Sequence, residues 1–383
     1  MKDFCLRQTH SRVRLSPRGP CSGPGPFYNS SVRHWDVIIV GGGIIGLSLS
    51  IELRKENLSV LVVERGEPGR EASHAAAGML ADSGVEDNSP LKTLASASAR
   101  IYPEFVHELQ DESGINCDLR DQGTLEFSLE LDHLLTEIGS PELLRKEIAE
   151  PEPALAPSSL PIIYLKERSV DPRALTEAAL KAAKHRGVDI SSGSEVAEIL
   201  LSAGETAGVR TSKTTYNAPV VVNCAGAWAG QIGPLLFPVR PVKGHMLCVV
   251  DGPRLRHVIR SDDVYIVPRS DGRTLIGSTL EEAGFDKRTD PEVIGRLRAA
   301  AMVLVPALKE SRILEAWAGL RPATPDNLPI LGFTAIPGYF VATGHFRDGI
   351  LLAPNTAKLM TQVIIGKRPD YDLSALSTAR FEN

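Results

Sequence analysis

No apolar run in the chain approaches the ~20 residues that cross a hydrocarbon core, so no membrane insertion is expected. Basic excess is missing too. A net charge of −5 and a pI near 6.0 exclude nucleic acid as the main partner, because binding its backbone needs a positive surface. The cysteines Cys5, Cys21, Cys117, Cys224 and Cys248 are too scattered for a metal knuckle or a CxxC pair, and their odd number closes no disulfide framework. A reducing, cytoplasmic setting is the simplest reading. The nine histidines show no close pairing of the kind zinc uses, so no metal is expected. With 383 residues and 43% hydrophobic content, the chain is long and apolar enough for two or three globular domains.

The stretch Trp35 to Gly66 organises the rest. Asp36 to Val40 is a short apolar run that enters Gly41-Gly42-Gly43 and then helix-period residues through Leu53, which reads as strand, tight turn and helix. Gly41, Gly43 and Gly46 fit G-x-G-x-x-G. In that pattern the first glycine turns the chain, the second admits a pyrophosphate to the backbone, and the third lets helix and strand pack closely. Ser59 to Val63 is a second strand ending in Glu64, placed where a carboxylate accepts ribose hydroxyls. These parts in order point to dinucleotide binding; an ordinary glycine-rich turn would leave Glu64 a coincidence.

Residues 1–34 carry Lys2, Arg7, Arg12, Arg14, Arg18 and Arg33 against Asp3, with the breaker-rich PRGPCSGPGP, and are expected to be disordered. A flexible leader or an upstream start codon explains them better than a transit segment, since the prolines spoil an amphipathic helix. The small-residue run from Pro68 to Leu80 either lets backbone amides approach a flat or phosphorylated ligand or begins an alanine-rich helix. Residues 91–112 have helical spacing through Leu94, Ala97, Ile101, Phe105 and Leu109, with Pro103 expected to kink or divide the helix. A strand is expected over Gln122 to Leu129. Residues 131–149 read as helical, interrupted at Gly139-Ser140-Pro141, and PEPALAPSSLP (151–161) reads as a connection between domains.

Asp171 to Arg186 is a helix with Asp171 as N-cap and Pro172 in its first turn. Strand signals follow at Val188 to Ile190, Val196 to Leu201 and Val220 to Asn223, the last running into Cys224-Ala225-Gly226-Ala227-Trp228. Such a small-residue turn brings backbone against a ligand held by the first unit. From Val239 to Gly277 the pattern becomes β-like, with Asp271-Gly272 as a hairpin turn, and reads as a second domain. Alternation there sends Val264 and Ile266 to one face and Tyr265 to the other, where its phenol lines a pocket or meets solvent. Residues 291–308 are an amphipathic helix. The run Ala316 to Pro322 delivers Arg321, suited to a bidentate grip on a carboxylate or to an ordinary ion pair. Tyr339 to Ala342 is a strand, and Thr343 to Pro354 opens a helix that continues through Ile365.

Together these segments resemble the FAD-dependent amine oxidases of the D-amino acid oxidase, sarcosine oxidase and glycine oxidase group. The resemblance runs from Asp36 to about Ile365 and rests on VIIVGGGIIG with Glu64, SHAAAGML, VVNCAGAWAG, YIVPR with GRTLIGST, WAGLRP and GHFRDGILLAP. The last three look most like the thiamine-pathway glycine oxidases. It implies an α/β fold, a Rossmann-like FAD-binding domain interleaved with an antiparallel-sheet α+β substrate domain. The expected division gives 35–110, 150–235 and 312–370 to the FAD domain, and 111–149 with 236–311 to the substrate domain.

The same resemblance implies non-covalent FAD, since no cysteine follows Cys248. Gly41, Gly43 and Gly46, with Ile44 and Ile45 between them, would hold the pyrophosphate, and Glu64, followed by Arg65, the adenosine ribose. Ala76, Ala77, Gly78 and Met79 would line the ring system, beside Ser73 and His74. Val196 would meet the adenine, and Cys224, Ala225, Gly226 and Trp228 would close on the cofactor. Gly344, His345, Arg347, Asp348, Gly349 and Ile350 would present amides and a helix N-terminus to the flavin.

For a small amino acid or amine substrate, Arg321 would bind the carboxylate, Tyr265 would support it, and Arg347 would help close the site. Dioxygen would be the second substrate and hydrogen peroxide a product. Two positions depart from the family pattern. Asp263 puts an acid near the pocket mouth, and Asp348 stands where an amide is more usual, so it is expected to point away as a helix cap. A dehydrogenase of the same fold with another electron acceptor is the nearest rival, and an inactive flavin-binding regulatory protein a remote one. Lys243 reads as an oxygen-side cation or an ordinary ion-pair residue. Oligomers are common in the family, yet neither a heptad nor an apolar stripe argues for one here.

Overall fold

A computed structural model describes residues 34–85, 88–127, 152–156 and 162–381. Its first unit is β1 (Val37–Val40), α1 (Ile44–Lys55) and β2 (Val60–Val63), the two strands pairing in parallel from Val37 with Val60 to Val40 with Val63. A short helix α2 (Ala72–Ala75), β3 (Met79–Leu80) and the long helix α3 (Lys92–Ser113) follow. Next come β4 (Thr124–Phe127), β5 (Ile162–Leu165), β6 (Arg168–Ser169), α4 (Pro172–His185) and β7 (Asp189–Ser191). A meander of β8 (Val196–Ser202), β9 (Glu205–Thr211) and β10 (Thr215–Asn217) leads to β11 (Val220–Asn223). The second half holds β12 (Arg240–Val250), β13 (Val258–Ser261), β14 (Tyr265–Pro268), β15 (Thr274–Gly277), α5 (Pro291–Leu304) and β16 (Arg312–Ala323). It ends with β17 (Ile330–Phe333), β18 (Tyr339–Thr343) and α6 (Gly349–Ile364).

Two sheets carry this architecture. The six-stranded sheet has the order β17-β18-β11-β1-β2-β7 and is parallel except for the β17–β18 pair. Strands buried on both faces read as continuous apolar runs, and VIIV and VLVV are such runs. Val37 and Ile39 face a core shared with α1, α3, α4 and α6, while Ile38 and Val40 face a second core with the meander. The seven-stranded sheet, β16-β12-β15-β14-β13-β4-β5, is antiparallel apart from β4 beside β13, and α5 packs on it. The resulting α/β fold joins a six-stranded sheet, covered by helices on one face and by the β8–β10 meander on the other, to a largely antiparallel one. Among the described residues no helix is long and apolar enough to cross a membrane.

Pro103 does not divide its helix. α3 runs unbroken because the Ala99 carbonyl, which loses its i+4 donor to the proline, accepts instead from Arg168 Nη1 at 3.3 Å. Pro306 does end a helix: 291–308 becomes α5 and a separate 3₁₀ turn, Pro306–Glu310. Strands β9 and β10 lie where no strand is expected from the sequence.

β5 and β16, expected in the cofactor domain, belong to the seven-stranded sheet, where β16 pairs with β12 along its whole length. No local pattern says which partner an apolar strand takes. Residues 1–33, the helical reading of 131–149 with its 139–141 break, the end of the strand at 128–129, and Pro151 with 157–161 lie outside the described residues.

Candidate active site

The carboxyl ends of β1, β2 and β11 open into a cavity of about 1110 Å³ that extends to the seven-stranded sheet. Ligands of open α/β sheets bind in such a crevice. Gly41 turns the chain at φ +111°, and a Cβ there would overlap the Cys224 carbonyl. A Cβ at Gly46 would overlap the Gly41 carbonyl, whereas one at Gly43 would meet only Ser73 Oγ, at 3.3 Å. The first and third glycines therefore pack, and the second leaves the backbone open to the cavity.

Both oxygens of Glu64 are engaged, accepting from Gly42 N at 2.8 Å and Gly66 N at 2.9 Å. That fixes a carboxylate on the cavity wall with lone pairs to spare. Ser73 Oγ accepts from Ile44 N at 3.0 Å at the start of α1. α2 stops at Ala75, so Ala76, Ala77 and Gly78 run past the cavity as open backbone, with Gly78 at φ +76°. The Arg65 guanidinium lies 3.5 Å over the Trp228 ring, and Phe285 packs on that ring at 5.2 Å. An open glycine turn, a fixed carboxylate and this volume fit a dinucleotide.

At the other end of the cavity, Arg321 Nη1 donates to Thr279 O at 3.0 Å and Nη2 to Ser278 Oγ at 2.6 Å. No carboxylate pairs with it among the described residues. Burial lowers its pKa, the nearby Tyr265 opposes that shift, and Arg347 adds to it by like-charge repulsion. Arg321 and Arg347 thus face one space, and Arg321 has no carboxylate partner in it among the described residues. Tyr265 keeps its predicted face, with Val264 and Ile266 buried behind it, and its hydroxyl reaches Met246 Sδ at 3.1 Å rather than solvent.

Loop 278–290 is clasped by His245, which has no exposed surface. Its Nδ1 meets Glu281 Oε1 at 2.8 Å and its Nε2 accepts from Asp290 N at 3.0 Å. The loop that holds Arg321 is therefore tied at both ends to the His245 ring, with the Lys243–Glu281 bridge beside it.

The loop before α6 is equally constrained. Phe346 takes φ +46° and donates its N–H to Pro322 O at 2.9 Å, drawing the loop onto the residue beside Arg321. His345 is buried against Thr356 Oγ1 at 3.3 Å, and burial lowers its pKa to about 3, so it is neutral. Asp348 departs from expectation: it occupies the N-cap position of α6 but its side chain makes no capping bond. It lies on the cavity wall, where burial raises its pKa to about 6 against the opposing effect of Arg347. Asp263 is exposed on the cavity rim beside Asp262.

Most of the predicted residues share this one wall: Gly41, Gly43, Ile44, Ile45, Glu64, Arg65, Ser73, Ala76, Ala77, Gly78, Met79, Val196, Cys224, Ala225, Gly226, Trp228, Tyr265, Arg321, His345, Arg347, Asp348, Gly349 and Ile350. Three do not line it. Gly46 is used in packing, Gly344 sits behind the wall with a would-be Cβ 2.7 Å from Thr324 Cγ2, and His74 turns outward to Arg70 at 3.1 Å. Lys243 is buried off the cavity, its main chain bridged to Glu281. Among the described residues no cluster of His, Cys, Asp or Glu is arranged to hold a metal.

Sequence reasoning missed Gly244, on whose space the Arg321 guanidinium rests; a glycine inside a strand was the available signal. It also missed the Arg260–Glu126 pair on the wall, with Nε and Nη2 donating to the two oxygens at 3.0 and 2.9 Å.

The profile described as DAO, FAD dependent oxidoreductase, matches residues 36–363. The chain belongs to this FAD-dependent oxidoreductase family. Within it, the chain is 36% identical to the glycine oxidase of Geobacillus kaustophilus over 369 residues, covering 91% of this chain and 97% of that protein. The crystal structure of that glycine oxidase superposes with a TM-score of 0.83 at 34% identity, covering 90% of this chain and 98% of the other. The bifunctional protein ThiO/ThiG of Trichormus variabilis is 36% identical over 362 residues, 91% of this chain. The chain spans only about half of that relative, 55% of its length. FAD is the family's cofactor, and the glycine turn, Glu64 and the open Ala76–Gly78 backbone are the parts of this oxidoreductase that fit it.

Proposed function

We propose that the chain is an FAD-dependent oxidase of glycine or another small amino acid or amine. It yields the imine, hence the 2-oxo acid and ammonia, with dioxygen consumed and hydrogen peroxide formed. The observation that carries this reading is Arg321, a cation with no carboxylate partner among the described residues, held in the cavity by Thr279 O and Ser278 Oγ. A substrate carboxylate completes that ion pair. Relatives named glycine oxidase and ThiO/ThiG support the substrate class and a role in thiazole formation for thiamine.

Gly41, Gly43 and the start of α1 would hold the FAD pyrophosphate, Glu64 the ribose hydroxyls, and Ala76 to Met79 the ring wall. Held there without a covalent link, FAD would supply the two-electron acceptor for the hydrogen of the substrate α-carbon. The chain's own part is positioning: Arg321 fixes the carboxylate, Tyr265 and Met246 wall the same space, and Arg347 adds positive charge. His345 stays neutral, and no side-chain base is required when the amine arrives unprotonated. Free, buried Cys117, Cys224 and Cys248 support a reducing, cytoplasmic location.

The test is an anaerobic titration of the purified protein's visible spectrum with glycine, followed by air and a peroxide assay. Bleaching by glycine with recovery and peroxide in air is the expected result. Bleaching without rapid recovery transfers the chain to a dehydrogenase with another acceptor. A colourless protein that takes up no FAD overturns the whole reading.

A further inference from the structure

The loop between β15 and α5, residues 278–290, reaches from the seven-stranded sheet to the residues around the glycine turn. Two of its side chains make that crossing. The Phe285 ring lies 5.2 Å from the Trp228 ring at an interplanar angle of 34°. The Lys287 ammonium donates to both oxygens of Glu71, at 3.1 and 2.9 Å.

Trp228 and Glu71 are themselves joined by one residue. The Arg65 guanidinium stands 3.5 Å from the centre of the Trp228 ring, and its Nη2 donates to Glu71 Oε1 at 2.9 Å. Phe285, Trp228, Arg65, Glu71 and Lys287 therefore make a closed ring of contacts that leaves the loop at one residue and returns to it two residues on. Arg65, Glu71 and Trp228 also line the cofactor cavity. Arg65 directly follows Glu64, Glu71 lies two residues before Ser73, and Trp228 follows the turn Cys224-Ala225-Gly226. The inner members of the ring thus belong to the segments that fit FAD.

The loop is fixed at both ends. Ser278 Oγ and Thr279 O accept from Arg321 at its start, and Asp290 N donates to His245 Nε2 at its end. His245 already seats the loop on its own sheet, so the grip of Phe285 and Lys287 falls on the cofactor side. Each contact in the ring is partly exposed and weak when taken singly. Carried by a loop that is already ordered, the set loses little further conformational entropy in closing.

We infer that Phe285 and Lys287 are positioning residues of the cofactor site, a strap from the other sheet that holds Trp228, Arg65 and Glu71 in place and slows the release of FAD. This rests on FAD as the family's cofactor and is independent of which substrate is oxidised.

The test is the rate at which FAD leaves the holoprotein after dilution, followed as the flavin absorbance retained on gel filtration at successive times. The double variant Phe285→Ala/Lys287→Ala is expected to release FAD about tenfold faster or more. Raised salt is expected to speed release from the unaltered protein and to do less to Lys287→Ala, because it screens the Lys287–Glu71 pair. Arg288→Ala changes the same loop at an exposed residue that pairs with Asp286, and is expected to leave the rate as it was. Equal rates in the unaltered protein and the double variant overturn the strap. Arg288→Ala speeding release as much as the double variant overturns it too, since any disturbance of the loop would then suffice. If the double variant takes up no FAD, Lys287→Ala and Lys287→Arg decide: faster release with alanine and a slow rate kept with arginine support the strap, and equal rates in the two overturn it.

Discussion

The Tyr102 hydroxyl donates to the Ile350 carbonyl at 3.1 Å, and Pro354 is the reason that carbonyl is available. A proline four residues on has no N–H to give, so the first turn of α6 takes its donor from α3. Ser98 Oγ does the same for Leu351 O at 2.6 Å. The helix whose N-terminus closes the cavity is thus pinned by the helix that carries Pro103.

Tyr102→Phe leaves the Ile350 carbonyl buried and unpaired. It should lower unfolding free energy by about 1–3 kcal/mol, seen as an earlier denaturant midpoint with unchanged slope. An unchanged midpoint means that another donor replaces the phenol.

The three glycines should separate into two phenotypes. Gly41→Ala and Gly46→Ala drive a methyl into backbone carbonyls and should give unstable protein. Gly43→Ala has room at the fold level and should give folded protein that loses FAD on gel filtration. Retention of full flavin absorbance by Gly43→Ala counts against that glycine as the phosphate-facing one.

Arg321→Ala should raise KM for the amino acid about 100-fold or more while bound FAD stays intact. Gly244→Ala reaches the same end indirectly, since its methyl occupies the guanidinium's place. Steady-state kinetics beside a flavin spectrum of each variant checks both, and a KM that does not move in Arg321→Ala removes the carboxylate role.

His245→Ala opens the clasp on loop 278–290 without touching the cavity wall. KM should rise more than kcat falls, because Thr279 and Ser278 no longer hold Arg321 in place. A drop in kcat at constant KM would show that His245 serves something other than positioning.

Asp348 makes stability pH-dependent. Its folded pKa, about 6, lies above the ordinary value of 3.8, so the folded state binds the proton more tightly. Stability from this group is full below about pH 4 and is lost as pH rises through 6, on the order of 1–3 kcal/mol by pH 8. Asp348→Asn should remove that loss and be the more stable protein at pH 8, as urea unfolding at pH 5 and pH 8 reads out. Identical pH dependence in both proteins refutes the assignment.

Much of this was legible in the residues. The order of strand, glycine turn, helix, strand and acid has one physical solution, and Asp171 caps its helix as its type and the following Pro172 require, accepting from Arg173 N at 2.9 Å. Alternation put Tyr265 on its correct face. Other features were invisible because they depend on a partner far along the chain. Arg168 rescues the Ala99 carbonyl, so Pro103 sits in a continuous helix. β16 joins β12 rather than the cofactor sheet, which no propensity encodes. Asp348 stands at the N-cap of α6 and makes no capping bond, which its residue type did not foretell.

By itself, then, the sequence determined local geometry and chemical inventory: which stretches are buried strands, where the backbone must be glycine, and which arginines and acids exist to be used. Tertiary structure alone decided which of them meet, because a side chain's partner is set by chain crossings that local pattern does not carry. It put Arg321 over Gly244 with no carboxylate partner among the described residues, and closed its loop through His245.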